Sequence, residues 1–238
     1  HPYNVRKYEN DEVFDKLNWY VDYMEEKSGK KNMVAWITEL GNPIGEFVET
    51  DEKQAYKNVR ECLVNRSDRV NFNAPTCIYN LERLGPSSDR EDNFGNIDAG
   101  DPRVLRKNAR AFVPHDGYVS LTGMNYVLGN AQFTSYEKTD DNMWIEQFKS
   151  KKFGKNIAAI WFEDTEAQKT FDAGCKELTV FDQYGNETKL KSSNGKYTFT
   201  VSQTPFYIMG DFISVKECET VETKYSDIEV SAAQGDIF

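Results

Sequence analysis

The feature that most constrains this chain is a change of hydrophobic period near residues 130–135. Beyond it, short apolar segments alternate with turn signals: Met143–Phe148, Asn156–Phe162, Glu177–Phe181, Lys189–Leu190, Lys196–Val201 and Phe206–Met209. Tyr184-Gly185-Asn186 and Asn194-Gly195 separate the later ones. Glycine and asparagine there allow the tight reversals that join antiparallel strands, so this half predicts a β-sandwich.

The first half has another rhythm. Residues 11–28 place Val13, Leu17, Tyr20 and Met24 on one helical face, and Gly29 supplies a C-cap. Met33 to Thr38 is a nearly continuous apolar run, the pattern of a strand buried on both faces, with Trp36 packed inside it. Thr50 caps a second helix in which Ala55, Val59 and Cys62 or Leu63 share a face. Arg69 to Asn73 reads as a second short strand. Helix, strand, helix, strand with short connections is the order of a parallel α/β unit. A polar loop over 74–102 follows, long enough to be functional or disordered. Asp101-Pro102 then opens a helical region that runs to about Leu128, where Gly129-Asn130 stops it.

Composition removes several functions. A formal charge of −10 argues against nucleic acid, which is bound by neutralising phosphates with clustered Lys and Arg. No apolar run is long enough to cross a bilayer, so no membrane association is expected. The four cysteines (Cys62, Cys77, Cys175, Cys218) form no CxxC, and with two histidines they offer no zinc site of usual spacing. Cys175 and Cys218 are the two that an oxidising compartment would allow to pair. Asn65-Arg66-Ser67 and Asn186-Glu187-Thr188 are formal glycosylation sequons. No Gly-rich phosphate loop is present, which sets aside a nucleotide-binding or redox α/β protein, and no cofactor is implied. The 32 aromatic residues serve first to build a core and a sheet face, although flat rings also stack on sugar C–H faces.

Chemistry centres on Glu39, which directly follows the apolar run in Trp36-Ile37-Thr38-Glu39-Leu40-Gly41. In an α/β barrel, catalytic groups stand at the C-terminal ends of strands, where the chain enters the βα loop. By itself, Glu39 reads more readily as the polar residue that begins a loop, since strands often end in one.

The segment Thr38-Glu39-Leu40-Gly41 resembles the seventh-strand motif of clan A, the retaining (β/α)8 glycoside hydrolases that include cellulases, xylanases and xylosidases. Other segments agree in order. His1-Pro2-Tyr3 resembles the His-x-Tyr at the end of the sixth strand, and Asn71–Leu84 resembles the eighth strand and its loop. Glu91–Ile97 and Leu128-Gly129-Asn130-Ala131 resemble the stretch that closes such barrels. Ile160-Trp161-Phe162, Val180–Asn186 and Thr204–Ile208 resemble the appended β-sandwich, with Trp161 in its core.

The resemblance implies the C-terminal half of a TIM barrel over residues 1–132 and a β-sandwich over 133–215. Residues 216–238 are then a linker or the start of a further module. It also implies retaining hydrolysis of a β-linked poly- or oligosaccharide, with Glu39 as nucleophile, in an extracellular or cell-surface setting. Tyr3 would orient Glu39 and hold it ionised, and His1 would bind a sugar hydroxyl. Asn42 and Tyr79 would line the pocket, Tyr79 as a stacking platform. His115, after Pro114, reads as a surface or capping residue rather than a ligand.

The chain departs from the family pattern in one respect. The acid/base carboxylate belongs to an Asn-Glu pair after the fourth strand, which would precede His1. Glu46, Glu82 and Glu91 are acidic loop residues with no further claim to that role. The chain begins at His1 without an initiator Met or a signal peptide, which reads as a fragment or processed product. Open sheet edges in half a barrel imply self-association or a missing N-terminal half-barrel. The alternative function is a non-catalytic carbohydrate-binding or scaffolding module, in which the sandwich does the binding.

Overall fold

The computed structural model describes residues 12–37, 39–45, 48, 50–66, 82–83, 93–98, 113–218 and 225–231. Among the described residues the architecture is mostly antiparallel sheet with three helices. The chain forms two compact units, residues 1–121 and 122–238. No described helix is long and apolar enough to cross a membrane.

In the first unit, helix α1 spans Glu12–Ser28 and ends at Gly29, whose φ of +70° and N–H to Glu25 O (2.9 Å) make the expected C-cap. Its apolar face is not the expected one. Val21 is buried, whereas Tyr20 and Met24 are exposed together with Trp19 and Tyr23. No described element covers them.

The run after α1 also differs from expectation. Met33–Ile37 forms no strand: Ala35 and Leu40 make only isolated bridges, Val34 is exposed, and Trp36 is 62% exposed. A strand buried on both faces needs neighbours on its edges and a layer on each side, and the described residues supply neither. Ile37 and Leu40 alone turn inward.

Helix α2, Asp51–Val64, begins as expected. Thr50 is extended (φ −139°, ψ 160°) and its Oγ1 accepts the Lys53 N–H at 3.1 Å, with Asp51 and Glu52 in the first turn favouring the helix dipole. Ala55, Val59, Cys62 and Leu63 are buried together, as the periodicity requires. Short strands β1 (Glu82–Arg83), β2 (Ile97–Asp98) and β3 (Val113–Pro114) make a small sheet, with β1–β2 parallel and β2–β3 antiparallel. The expected strand Arg69–Asn73 lies outside the described residues.

Helix α3 spans Asp116–Leu128. His115 stands at its N-cap position, with its carbonyl accepting from Tyr118 N (2.9 Å) and Val119 N (3.3 Å). Its imidazole Nδ1 faces Asp51 Oδ2. Gly129 (φ +41°) ends the helix.

Among its described residues the second unit holds ten strands: β4 (Gln132–Lys138), β5 (Met143–Lys149), β6 (Asn156–Phe162), β7 (Ala167–Asp172), β8 (Glu177–Phe181), β9 (Glu187–Ser192), β10 (Lys196–Val201), β11 (Phe206–Gly210), β12 (Lys216–Cys218) and β13 (Tyr225–Ser231). A seven-stranded sheet has the order β13-β9-β8-β11-β6-β5-β4, and a three-stranded sheet the order β10-β7-β12. All pairings in both are antiparallel. Met143, Ile145, Ile160 and Ile208 of the larger sheet share one core cluster with Phe171, Tyr197 and Val201 of the smaller.

The six strands read from turn spacing all appear. β7 was not legible, because only Thr170 and Phe171 of its six residues are buried. Residues expected as a linker or further module instead extend the sheets: β12 pairs with β7, and β13 with β9.

Register places Trp144 opposite Trp161, with rings stacked at 5.7 Å, on the face opposite that of Ile145 and Ile160. Trp161 is thus fully buried, though not within the cluster shared by the two sheets. Cys62, Cys175 and Cys218 are free thiols, so the pairing of Cys175 with Cys218 is absent.

Candidate functional site

Asp51, Gln54, Asn58 and Glu61 follow one another on α2 at intervals of three, four and three. Such spacing puts them on one face of the helix. Each reaches across to a loop. The Asn58 side-chain oxygen accepts from both the backbone N–H (3.0 Å) and the side-chain amide (2.9 Å) of Asn42, and Glu61 Oε2 accepts from the same amide at 3.0 Å. Gln54 Nε2 donates to Asn42 O at 2.8 Å, and its second hydrogen is shared between Asn93 O and Phe94 O, both at 3.2 Å. Asn58 Nδ2 points to Asn96 Oδ1 at 3.4 Å.

The N-terminal end of the stripe is charged. Arg83 donates to Asp51 Oδ1 (2.6 Å), to Gln54 Oε1 (2.7 Å) and to Gly95 O (3.2 Å). His115 Nδ1 lies 3.2 Å from Asp51 Oδ2, and its backbone N–H donates to Asn96 O. Beside this contact, a Cβ at Gly117 would fall 1.9 Å from Asn96 Oδ1, so a larger residue there would displace that side chain. The helix stripe therefore ties down the Leu40–Asn42 loop, the Asn93–Asn96 loop and Arg83 at once. Buried amides with satisfied hydrogen bonds fix a loop's path, since breaking any one leaves a polar group unpaired away from water.

Glu39 stands three residues before Asn42, half-buried, between exposed Trp36 and fully buried Leu40. Its backbone leads straight into the anchored segment. Asn42, expected to line a pocket, is 2% exposed and turned onto α2. In this structure its amide supports the loop and offers no surface to a ligand. Tyr3, His1 and Tyr79 lie outside the described residues, as do Glu46, Glu91 and the side chain of Glu82.

Cys62 lies on α2 beside this stripe, fully within the core. Burial, and then the Glu61 charge, push the Cys62 thiol up to about 12 against the opposing effect of Arg66, so it stays protonated at neutral pH. Among the described residues, no three His, Cys, Asp or Glu gather as a metal site.

Sequence reasoning missed Gln54, Asn58, Glu61 and Arg83. The first three did carry a signal, polar residues at i, i+4 and i+7 on one face of α2, but Glu52, Lys53, Lys57 and Arg60 on the same helix blur it. Arg83, within the long polar loop, carried none.

Among solved structures, the chain is similar to a family 39 glycoside hydrolase from the gut symbiont Bacteroides cellulosilyticus WH2. The TM-score is 0.63 at 21% identity, over 80% of this chain and 36% of that one. The likeness is one of fold. This chain spans little more than a third of that enzyme's length. No family profile and no curated protein matches it.

Proposed function

We propose that this chain is the C-terminal part of a retaining glycoside hydrolase, with Glu39 as the nucleophile of a double displacement. The observation that carries the proposal is the shared fold with a family 39 glycoside hydrolase across 80% of the chain. Glu39 supports it by position: a half-buried carboxylate at the start of a loop clamped to α2 through Asn42. Residues 1–132 are then the closing portion of a (β/α)8 barrel and residues 133–215 an appended β-sandwich. The substrate is a β-linked carbohydrate outside the cell.

In that reaction Glu39 attacks the anomeric carbon while a second carboxylate protonates the departing oxygen. The same second group then activates water to release the sugar from Glu39. Retention requires the two carboxyls roughly 5–5.5 Å apart. The partner carboxylate is contributed by chain preceding His1. Tyr3 donates a hydrogen bond that holds Glu39 ionised, and His1 and Tyr79 contact the sugar.

The test uses the full-length parent protein. Glu39→Gln keeps size and hydrogen bonding but cannot form the glycosyl ester, so turnover should fall about a thousandfold or more with an unchanged thermal midpoint. Product analysis of the wild type by NMR should show retained anomeric configuration. A Glu39→Gln enzyme with near-normal turnover would sink the assignment.

A further inference from the structure

The second unit carries a groove of about 660 Å³ lined by residues of β8–β11 and their connections. We infer that it is a separate binding site for a neutral carbohydrate. It lies between the turn that joins β8 to β9 and the loop that joins β10 to β11.

The walls are preformed. The Asp182 carboxylate accepts from Tyr184 N (2.8 Å), Asn186 N (3.0 Å) and Asn186 Nδ2 (2.8 Å), which closes the first turn. Gly185 in that turn has φ +88° and packs directly on Gly123 of α3. A Cβ on Gly123 would come within 2.6 Å of the Tyr184 backbone, so the turn rests on the helix without intervening side chains. Across the groove, Ser202 Oγ accepts from Thr204 N at 3.2 Å and orders the second loop. A site already shaped before binding loses little conformational entropy when it is filled.

The lining decides the ligand class. Phe199 and Phe206 form an aromatic floor, with ring centroids 5.2 Å apart, and each is only partly buried against the core. Thr188 and Thr204 line the groove beside these rings, together with Glu187. A pyranose has this same division, a flat C–H face and a ring of hydroxyls. A purely apolar ligand would strip water from the threonines and Glu187 without replacing their hydrogen bonds, which costs free energy. An anion would meet the carboxylates of Asp182 and Glu187. The volume lies in the range of roughly 300–1,000 Å³ usual for small-molecule sites. On this view the second unit holds the polysaccharide that the first unit's enzyme cleaves; the inference rests on the carbohydrate reading above.

The experiment is a ¹⁵N NMR titration of the full chain with neutral β-linked xylo- and cello-oligosaccharides, run alongside Phe206→Leu and Thr188→Lys. Amide shifts should concentrate in residues 182–188 and 199–206, and Phe206→Leu, which keeps the core apolar but removes the flat ring, should weaken binding roughly fivefold. Thr188→Lys should block the groove from its rim without touching the core. Shifts confined to other residues, or binding that both variants leave unchanged, would overturn the groove assignment. Parallel turnover assays on the full-length parent separate the two ideas. Hydrolysis of these sugars without groove shifts removes the groove and leaves the enzyme reading intact; neither signal removes both.

Discussion

Asn42 shows how one residue can look like a ligand-binding group and act as a brace. It follows a candidate strand end by a few residues and sits in a loop, which is where pocket amides are found. What fixes its role is the helix opposite, where Asn58 and Glu61 receive its hydrogens. Replacing Asn58 with Leu leaves the Asn42 backbone N–H buried without its acceptor. The expected cost is about 2 kcal/mol, read as a lower urea midpoint at constant slope. In the full-length parent the same change should lower turnover, because the loop that carries Glu39 loses its anchor. An unaltered midpoint would show that the network is dispensable. The sequence pointed to Glu39 through the apolar run and the family resemblance, but it carried no sign of the network that supports the loop after it. Support depends on which residues face each other across a loop, and a single sequence does not record that.

Elements were legible where one face is consistently buried. β8, β10 and the caps of α2 and α3 follow from period, turn residues and Thr50. β7 was hidden because Gln168 and Asp172 are exposed and its charged Lys169 lies among partly buried positions. That lysine explains why the strand tolerates a charge. Lys169 Nζ is 2.6 Å from both Asp141 Oδ2, in the β4–β5 turn, and Glu217 Oε1, on β12. Burial alone would lower the Lys169 pKa, but the hydrogen bonds it donates to Asp141 and Glu217 outweigh it and hold the ammonium above its ordinary 10.5. Hydrogen bonds from Lys169 and then Thr139 hold Asp141 below its ordinary 3.8. A raised lysine stabilises the fold below its unfolded pKa and loses that contribution as pH climbs through the folded one. A depressed aspartate stabilises above its unfolded pKa and loses that contribution as pH falls through the folded one. Stability from this triad should therefore be flat between about pH 4 and pH 10 and decline beyond both ends. Lys169→Met should cost no more than about 1 kcal/mol at neutral pH, since Asp141 is half exposed. The variant should also lose the alkaline part of the pH dependence. Denaturant midpoints measured from pH 3 to pH 11 check both statements, and a wild-type profile identical to that of Lys169→Met would refute them.

At the scale of the molecule, the faces that disagree with the sequence pattern matter most. Tyr20 and Met24 occupy the face of α1 that periodicity assigns to a core, yet both are exposed. Trp19 stacks on Tyr23 at 5.5 Å beside them, 56% and 46% exposed, and Lys27 lies over the Tyr23 ring at 5.4 Å. Val34 and Trp36 are exposed in the same unit. Scattered apolar residues on a surface are ordinary, but four adjacent ones on a single helix face exceed what soluble monomers usually display. On the half-barrel reading proposed above, the α1 face would meet further barrel. We therefore expect the chain to cover that face by self-association. Multi-angle light scattering at tens of micromolar should give a mass above that of one chain. Trp19→Lys with Tyr23→Lys should restore the monomer while leaving the helical circular-dichroism signal unchanged, because both sites are exposed and lysine is a good helix former. A wild-type chain that is monomeric and unfolds in one cooperative step would show that the aromatic face needs no partner, and with it the argument for a missing half of the barrel would lose its physical basis.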